Sequence, residues 1–245
     1  MIKVSIQLIN YKTKRYLAGC LEGLLNDLSG TGFEYEILVL ENDSGDDLSN
    51  LEKKYKEKVS FYYSNKNLGY GGGHNYLSRI ATGEHLLLLN TDLRFIEPKT
   101  IERLLDSLTV NKAAIVGPKL ITEKNNVQKY DHGELTGKLA EAALNMGNSF
   151  WRSRNQITIV AWVSGAVFLI TKAAFNKVGG FDENFFLYKE EEDLSLHIRQ
   201  NGGVVLYDPT ISILHYGSVV AKKNVFMKNS KKYYYQKNIL KKIKS

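Results

Sequence analysis

The chain has 245 residues, 43% hydrophobic and 24% charged, which suits a large globular domain. Cys20 is its single cysteine, so no internal disulfide can form. No apolar run approaches the roughly 18 residues needed to span a bilayer. The net charge of +7 is concentrated: residues 222–245 hold nine lysines and no acid, leaving 24 basic against 26 acidic residues elsewhere, a body of about −2. A nucleic-acid-binding fold would carry its positive charge on the folded face, so that class is excluded first.

In chain order, Ile2, Val4, Ile6 and Leu8 alternate with polar residues and predict a strand ending near Asn10-Tyr11, rather than a leader peptide. Leu17, Leu21, Leu24, Leu25 and Leu28 fall on one face of a helix from Lys14 to Leu28. Tyr35–Leu40 predicts a second strand, stopping at a turn cluster from Glu41 to Asp46, and a helix follows over about Asp47–Lys56. Val59–Tyr63 reads as a third strand. Gly69–Gly73 reads as a glycine-rich turn into a helix over His74–Ala81. His85–Phe95, HLLLLNTDLRF, supplies an apolar run that predicts a strand buried on both faces, ending abruptly at Asn90-Thr91-Asp92. Strand–helix alternation of this kind predicts an α/β fold, a Rossmann-like, mostly parallel central sheet flanked by helices. In such sheets ligands sit beyond the carboxyl ends of the strands, where Asp92 is delivered.

Beyond Asp92, a helix starts at Pro98, and Ala113–Ile121 is extended but interrupted at Gly117-Pro118. Residues 122–155 are the least readable, with one weak helical patch at Leu139–Leu144, and predict a mobile or variable loop. Ile157–Ile170 returns to strand character. A helix opens at Glu190-Glu191-Glu192-Asp193 and runs to Gln200, and Val204–Tyr207 and Ile211–His215 are two short strands.

Three features carry candidate chemistry. Gly69–Gly73 fits neither a GxGxxG nor a Walker pattern, since His74 stands where the third glycine would be. What remains is bare amides at a helix start, which can approach an anion. Four consecutive acids repel one another, so at least one should hold its proton more tightly, as a general base requires. If His215 shares a cleft with Asp92, the pair suits a divalent metal, with diphosphate oxygens and water completing the shell.

Taken together, VSIQLINYK, LVLENDSGD, NLGYGGGHN, LLLLNTD, the ungapped block SGAVFLITKAAFNKVGGFDENFFLYKEEEDLSLHIRQNGG and LHYGS resemble, in this order, glycosyltransferase family 2 with the GT-A fold. The nearest pattern is that of bacterial rhamnosyltransferase-like members that build surface polysaccharides. The resemblance implies a domain over residues 1–221, with a nucleotide-sugar half to about residue 92 and an acceptor half from about residue 93. It implies that Asn10, Tyr11, Glu41 and Asn42 hold the base and ribose of a nucleoside-diphosphate sugar, UDP- or dTDP-linked. Gly73 and Asn75 would lie near the nucleotide and Asn90 near the ribose. Asp92 would bind Mg or Mn on the diphosphate, with His215 as a further ligand. Glu191 stands at the base position, and Asp193 would orient the site. The chain departs from the pattern where Glu41 replaces an Asp, Asn90 replaces the first acid of DxD, and Glu191 replaces a shorter Asp, which leaves Glu190 and Asp193 as competing bases. The implied activity is inverting, metal-dependent transfer of a sugar, rhamnose among the candidates, to a hydroxyl of a glycan or lipid-linked acceptor. A non-catalytic nucleotide-sugar-binding protein shares the fold motifs, but would not need the acid block. A nucleotidyltransferase would want a glycine-rich basic loop where Asn10-Tyr11-Lys12 stands.

Residues 222–245 read as a basic amphipathic helical appendage. Val225, Phe226, Tyr233, Ile239, Leu240 and Ile243 lie on one side, and Lys228, Lys231, Lys237, Lys241 and Lys242 populate the rest. Such a helix predicts contact with an anionic membrane surface. The expected location is cytoplasmic, peripheral on the inner face of the membrane.

Overall fold

The computed structural model describes residues 3–217 and 223–240. The N-terminal part is a run of strand–helix units: β1 (Val4–Asn10), α1 (Lys14–Asp27), β2 (Tyr35–Glu41), α2 (Ser49–Tyr55), β3 (Ser60–Tyr63), α3 (Gly69–Ile80) and β4 (His85–Leu89). After it come β5 (Leu93–Phe95), α4 (Thr100–Val110), β6 (Ile115–Ile121), β7 (His132–Gly133), α5 (Lys138–Asn145), β8 (Thr158–Ile159), β9 (Trp162–Val163), β10 (Val167–Thr171), α6 (Lys172–Lys177), α7 (Glu190–Gln200) and β11 (Val205–His215). The described residues close with α8 (Lys223–Tyr235) and a π-helical turn, Gln236–Leu240.

The main sheet has the order β3-β2-β1-β4-β10-β6-β11-β5, with β8 on β11. β1, β2, β3 and β4 pair in parallel, and so do β6 and β11, whereas β10 is antiparallel to both β4 and β6. The sheet is therefore mostly parallel in its first half and mixed in its second. β4 lies inside it, and alternate leucines feed two cores. Leu87 and Leu89 pack with α1 and α4; Leu86 and Leu88 pack with α3 and α7. The unbroken apolar run thus has the cause expected of it, burial on both faces.

Four expectations change. Gly69–Gly73 is not a turn before the helix but the first turn and a half of α3 itself. A Cβ on Gly71 would stand 2.9 Å from Phe181 Cβ, and one on Gly73 2.7 Å from Ile9 Cδ1, so the glycines serve close packing. The extended stretch from Ile115 runs through Gly117-Pro118 without interruption. The two strands expected over 204–215 are one, β11, because its register shifts between Asp208 and Ser212 and absorbs the break. Residues 122–155, expected as a mobile loop, are pinned by buried Asp131, His132 and Glu134. Asp131 accepts from Trp151 Nε1 at 2.9 Å and Tyr207 OH at 2.8 Å, and Arg154 Nε donates to Glu134 at 2.6 Å.

Candidate functional site

The ends of β1 and β2 meet in register, with Asn10 opposite Glu41, and Asn42 N donates to Asn10 O at 3.0 Å. The side chains there build the rim. Asn10 Nδ2 donates to Asp46 at 2.9 Å, the Glu41 carboxylate accepts from the amides of Asp43 and Ser44, and Asn42 Oδ1 accepts from Leu68 N. Tyr11 is half-buried beside them, with Lys12 over its ring. The other two donor-side candidates have packing contacts. Gly73 faces Ile9 and Leu40, and Asn75 exchanges bonds of 2.9 Å with the backbone of Phe181.

At the end of β4 the predicted pair comes together across 123 positions of sequence. Asp92 Oδ1 and His215 Nε2 are 3.3 Å apart, and both residues are buried. β11 delivers His215 by pairing it with Leu93 of β5, and Asp92 also accepts from Gly217 N at 3.2 Å. Gln128 Oε1 lies 2.8 Å from His215 Nδ1, and Asn90 Nδ2 lies 3.3 Å from Nε2. Both bonds are satisfied by one tautomer: Nδ1 carries the proton and Nε2 presents its lone pair. That lone pair takes the Asn90 hydrogen beside the Asp92 carboxylate, so a cation entering between Nε2 and Oδ1 would replace the Asn90 bond. Among the described residues no group of three or more His, Cys, Asp or Glu gathers as a metal cage. The residues therefore fit a divalent cation that shares its shell with a ligand's own oxygens.

The four acids at the start of α7 are sorted by their neighbours. Glu192 accepts from Lys189 Nζ at 2.7 Å and Ser149 Oγ at 2.6 Å. Asp193 accepts from Lys237 Nζ at 2.8 Å and Asn238 Nδ2 at 2.7 Å. Glu190 is buried with Oε2 unpartnered, and burial, then repulsion from Glu191, pushes its carboxyl well above the usual range. Glu191 is half-buried, and desolvation followed by the charge of Glu192 raises it to about 7. A carboxyl poised near neutrality is what a general base needs. The two halves are joined by short links: Asn90 N donates to Ala166 O at 2.9 Å, and Tyr70 OH donates to Gly165 O at 2.6 Å. Tyr70 is close enough to Glu190 and Glu191 for their charges to raise its own pKa, after burial.

Four contributors escaped the sequence reading: Tyr70, Gln128, Lys189 and the Lys237-Asn238 pair. Gln128 lies in the stretch without a pattern, whereas Tyr70 and Lys189 lie inside motifs whose glycines and acids stand out. Lys237, expected on the outward basic face of the tail, is turned inward instead. The π-helical turn rotates the register there, and two carboxylates, Asp182 and Asp193, attract the ammonium.

A parallel half-sheet with polar strand ends, continued by an antiparallel strand behind Asp92, is the architecture of the GT-A glycosyltransferases. GalNAc-T7, solved with UDP, GalNAc and Mn2+, superposes with a TM-score of 0.65 at 14% identity, over 88% of this chain and 44% of that one. A mannosyltransferase from Pyrobaculum calidifontis, solved with GDP-Man and Mn2+, gives 0.63 at 13% identity, over 91% of this chain and 58% of that one. The chain thus spans about half the length of these solved structures. Residues 5–183 match the model of glycosyl transferase family 2, and the chain belongs to that family. Among curated relatives, the N-acetylglucosaminyl-diphospho-decaprenol L-rhamnosyltransferase of Mycobacterium tuberculosis is 27% identical over 223 residues, 80% of this chain and 71% of that protein.

Proposed function

We propose that the chain transfers a sugar from a nucleoside-diphosphate sugar to a hydroxyl of a glycan or lipid-linked glycan, with inversion of configuration. The observation that carries the reading is the sorting of the acid block. Of four carboxylates, Glu191 alone combines partial access, no ion pair among the described residues and a proton affinity near neutrality. In this reading Glu191 takes the proton from the acceptor hydroxyl. The acceptor oxygen then bonds to the anomeric carbon as the bond from that carbon to the diphosphate breaks. A single displacement through the back face inverts the centre.

Asp92 Oδ1 and His215 Nε2 would hold Mg or Mn. Bound there, the ion would supply charge stabilisation to the departing diphosphate. Asn10, Tyr11, Glu41, Asn42 and Asn90 would shape the base and ribose end. The Mycobacterium tuberculosis relative is named for a diphospho-decaprenol acceptor and for rhamnose, which supports a lipid-linked acceptor and makes dTDP-rhamnose the first donor to try. Lys228, Lys231 and Lys232 are exposed beside part-exposed Phe226, Tyr235 and Leu240, which supports peripheral attachment to an anionic bilayer. No helix among the described residues is long and apolar enough to cross a membrane.

The test is a panel of nucleotide sugars with Mg or Mn, followed by release of nucleoside diphosphate. Slow hydrolysis of one donor, abolished by chelator, is the expected result. Tight binding of a nucleotide sugar with no turnover in the presence of any glycan acceptor would favour a binding protein instead.

A further inference from the structure

The segment from Phe181 to Lys189 runs straight into the proposed base, and it is gripped from two sides. On one side α3 holds it: Asn75 bonds both backbone groups of Phe181, and Tyr70 N donates to Phe186 O at 3.1 Å. On the other side lies the C-terminal helix. Ser230 Oγ donates to Leu187 O at 2.8 Å, and Phe185 and Phe186 meet Tyr233 and Phe226 at ring separations of 4.8 and 5.1 Å. Lys237 Nζ bridges the two ends of the arrangement, 2.8 Å from Asp182 and 2.8 Å from Asp193. Asn238 takes the other oxygen of Asp193, and Tyr233 OH adds a bond of 2.9 Å to Asp182.

Two details indicate that this contact has more to do than cover a surface. Lys237 and Asn238 are successive residues of the π-helical turn, and both reach Asp193, one at each carboxylate oxygen. The segment they grip ends in two successive non-glycine residues with left-handed backbone, Tyr188 at φ 71° and Lys189 at φ 73°. Such conformations persist only where the surroundings over-determine them. They set the direction in which α7 starts, and hence where Glu191 stands.

We infer that the C-terminal helix is a working part of the transfer site, and that Lys237 is a positioning residue that fixes Glu191 by tying Asp182 to Asp193. The inference rests on the reading of Glu191 as the base. It is separate from any role of the tail at a membrane, since the exposed lysines and the inward lysine do different work.

The experiment compares three full-length proteins in lipid-free buffer: wild type, Lys237→Met and Lys237→Arg. A misplaced base costs on the order of 10²-fold. Lys237→Met should therefore lose about that factor in kcat, with donor KM within about twofold of wild type. Lys237→Arg should recover most of the loss. Hydrogen exchange in the same proteins should quicken over residues 181–193 in Lys237→Met and stay unchanged over 85–89. Wild-type kcat in Lys237→Met, or equal loss in the Met and Arg variants, overturns the inference. If wild type itself turns over no donor, the proposed function fails. Exchange over 181–193 then still decides whether Lys237 holds the segment.

Discussion

The two halves of the sheet share an aliphatic core and differ in how their buried polar groups are gathered. Ile6, Leu8, Ile37, Val39, Leu87 and Leu89 pack with Val116, Leu169 and Ile213 of the other half, and the parallel strands β1 to β4 bury a short polar chain, Ser78–Gln7–His74. The half built on β6, β10 and β11 contains a buried polar knot. Asp131 accepts four hydrogen bonds there, from His132, Trp151, Tyr207 and Leu120, and Glu134 pairs with Arg152 and Arg154. His132 stacks on Tyr207 at 4.0 Å. Aliphatic burial tolerates volume-conserving exchange, whereas a polar knot fails when one member is removed. The Asp92–His215 pair sits on the seam and draws one residue from each half.

The largest effect should come from that seam. Asp92→Ala leaves His215 without its carboxylate partner and should lower donor turnover on the order of 10⁴-fold, with little recovery at saturating Mn. Turnover within about tenfold of wild type would remove Asp92 from the metal role. Glu191→Gln belongs wholly to the second half and should cost about 10³-fold in transfer while donor binding by calorimetry stays intact. Its pH dependence has a definite sign. A base raised to about 7 is protonated below that pH, so transfer should rise with pH up to about 7 and then level off. The same carboxyl makes the folded state bind a proton that the unfolded chain, near 4.5, has released. Folding stability should therefore fall between pH 4.5 and 7 as transfer rises, and Glu191→Gln should flatten the transfer trend and lessen the stability trend, to which raised Glu190 also contributes. Third, Asp131→Ala should destabilise the protein by about 3–5 kcal/mol, since it strands buried donors in the knot. Thermal unfolding would report this, and an unchanged midpoint would mean that the knot is not what pins residues 122–155.

The same contrast explains what could be read from the chain. β4 was legible because a doubly buried strand has only one way to look, and the ends of β1, β2 and β4 follow from alternation and turn chemistry. Gly69–Gly73 was not, because glycines placed for close approach to Phe181 and Ile9 look locally like a turn. Residues 122–155 looked like a loop because buried Asp131, His132 and Glu134 are indistinguishable in sequence from solvated ones. The acid block announced that one carboxyl would be perturbed. Which one depends on partners 43 to 45 positions away, Ser149 on one side and Lys237 and Asn238 on the other. Burial pushes Asp182 up, yet bonds from Lys237, Asn184 and Tyr233 hold it down at about 2, and no local pattern marks it as the anchor of the tail.

Gln128 gives the finest probe of the seam, because it lies in the second half and touches His215, which meets Asp92 of the first. Its position is set by backbone: Gln128 N donates to Leu120 O at 2.8 Å, and Val127 forms a bridge with Ile121 at the end of β6. Its side-chain oxygen fixes which nitrogen of His215 is bare. Partners of this kind typically contribute 10–100-fold to metal affinity. Gln128→Leu should therefore weaken Mn binding by about that factor in the presence of nucleoside diphosphate, read from the Mn resonance signal and not from turnover. Gln128→Glu keeps an acceptor at Nδ1 and should retain affinity. Equal affinity in wild type and the Leu variant would mean that the His215 tautomer is set by Asn90 alone. The seam would then owe nothing to the segment over 122–155.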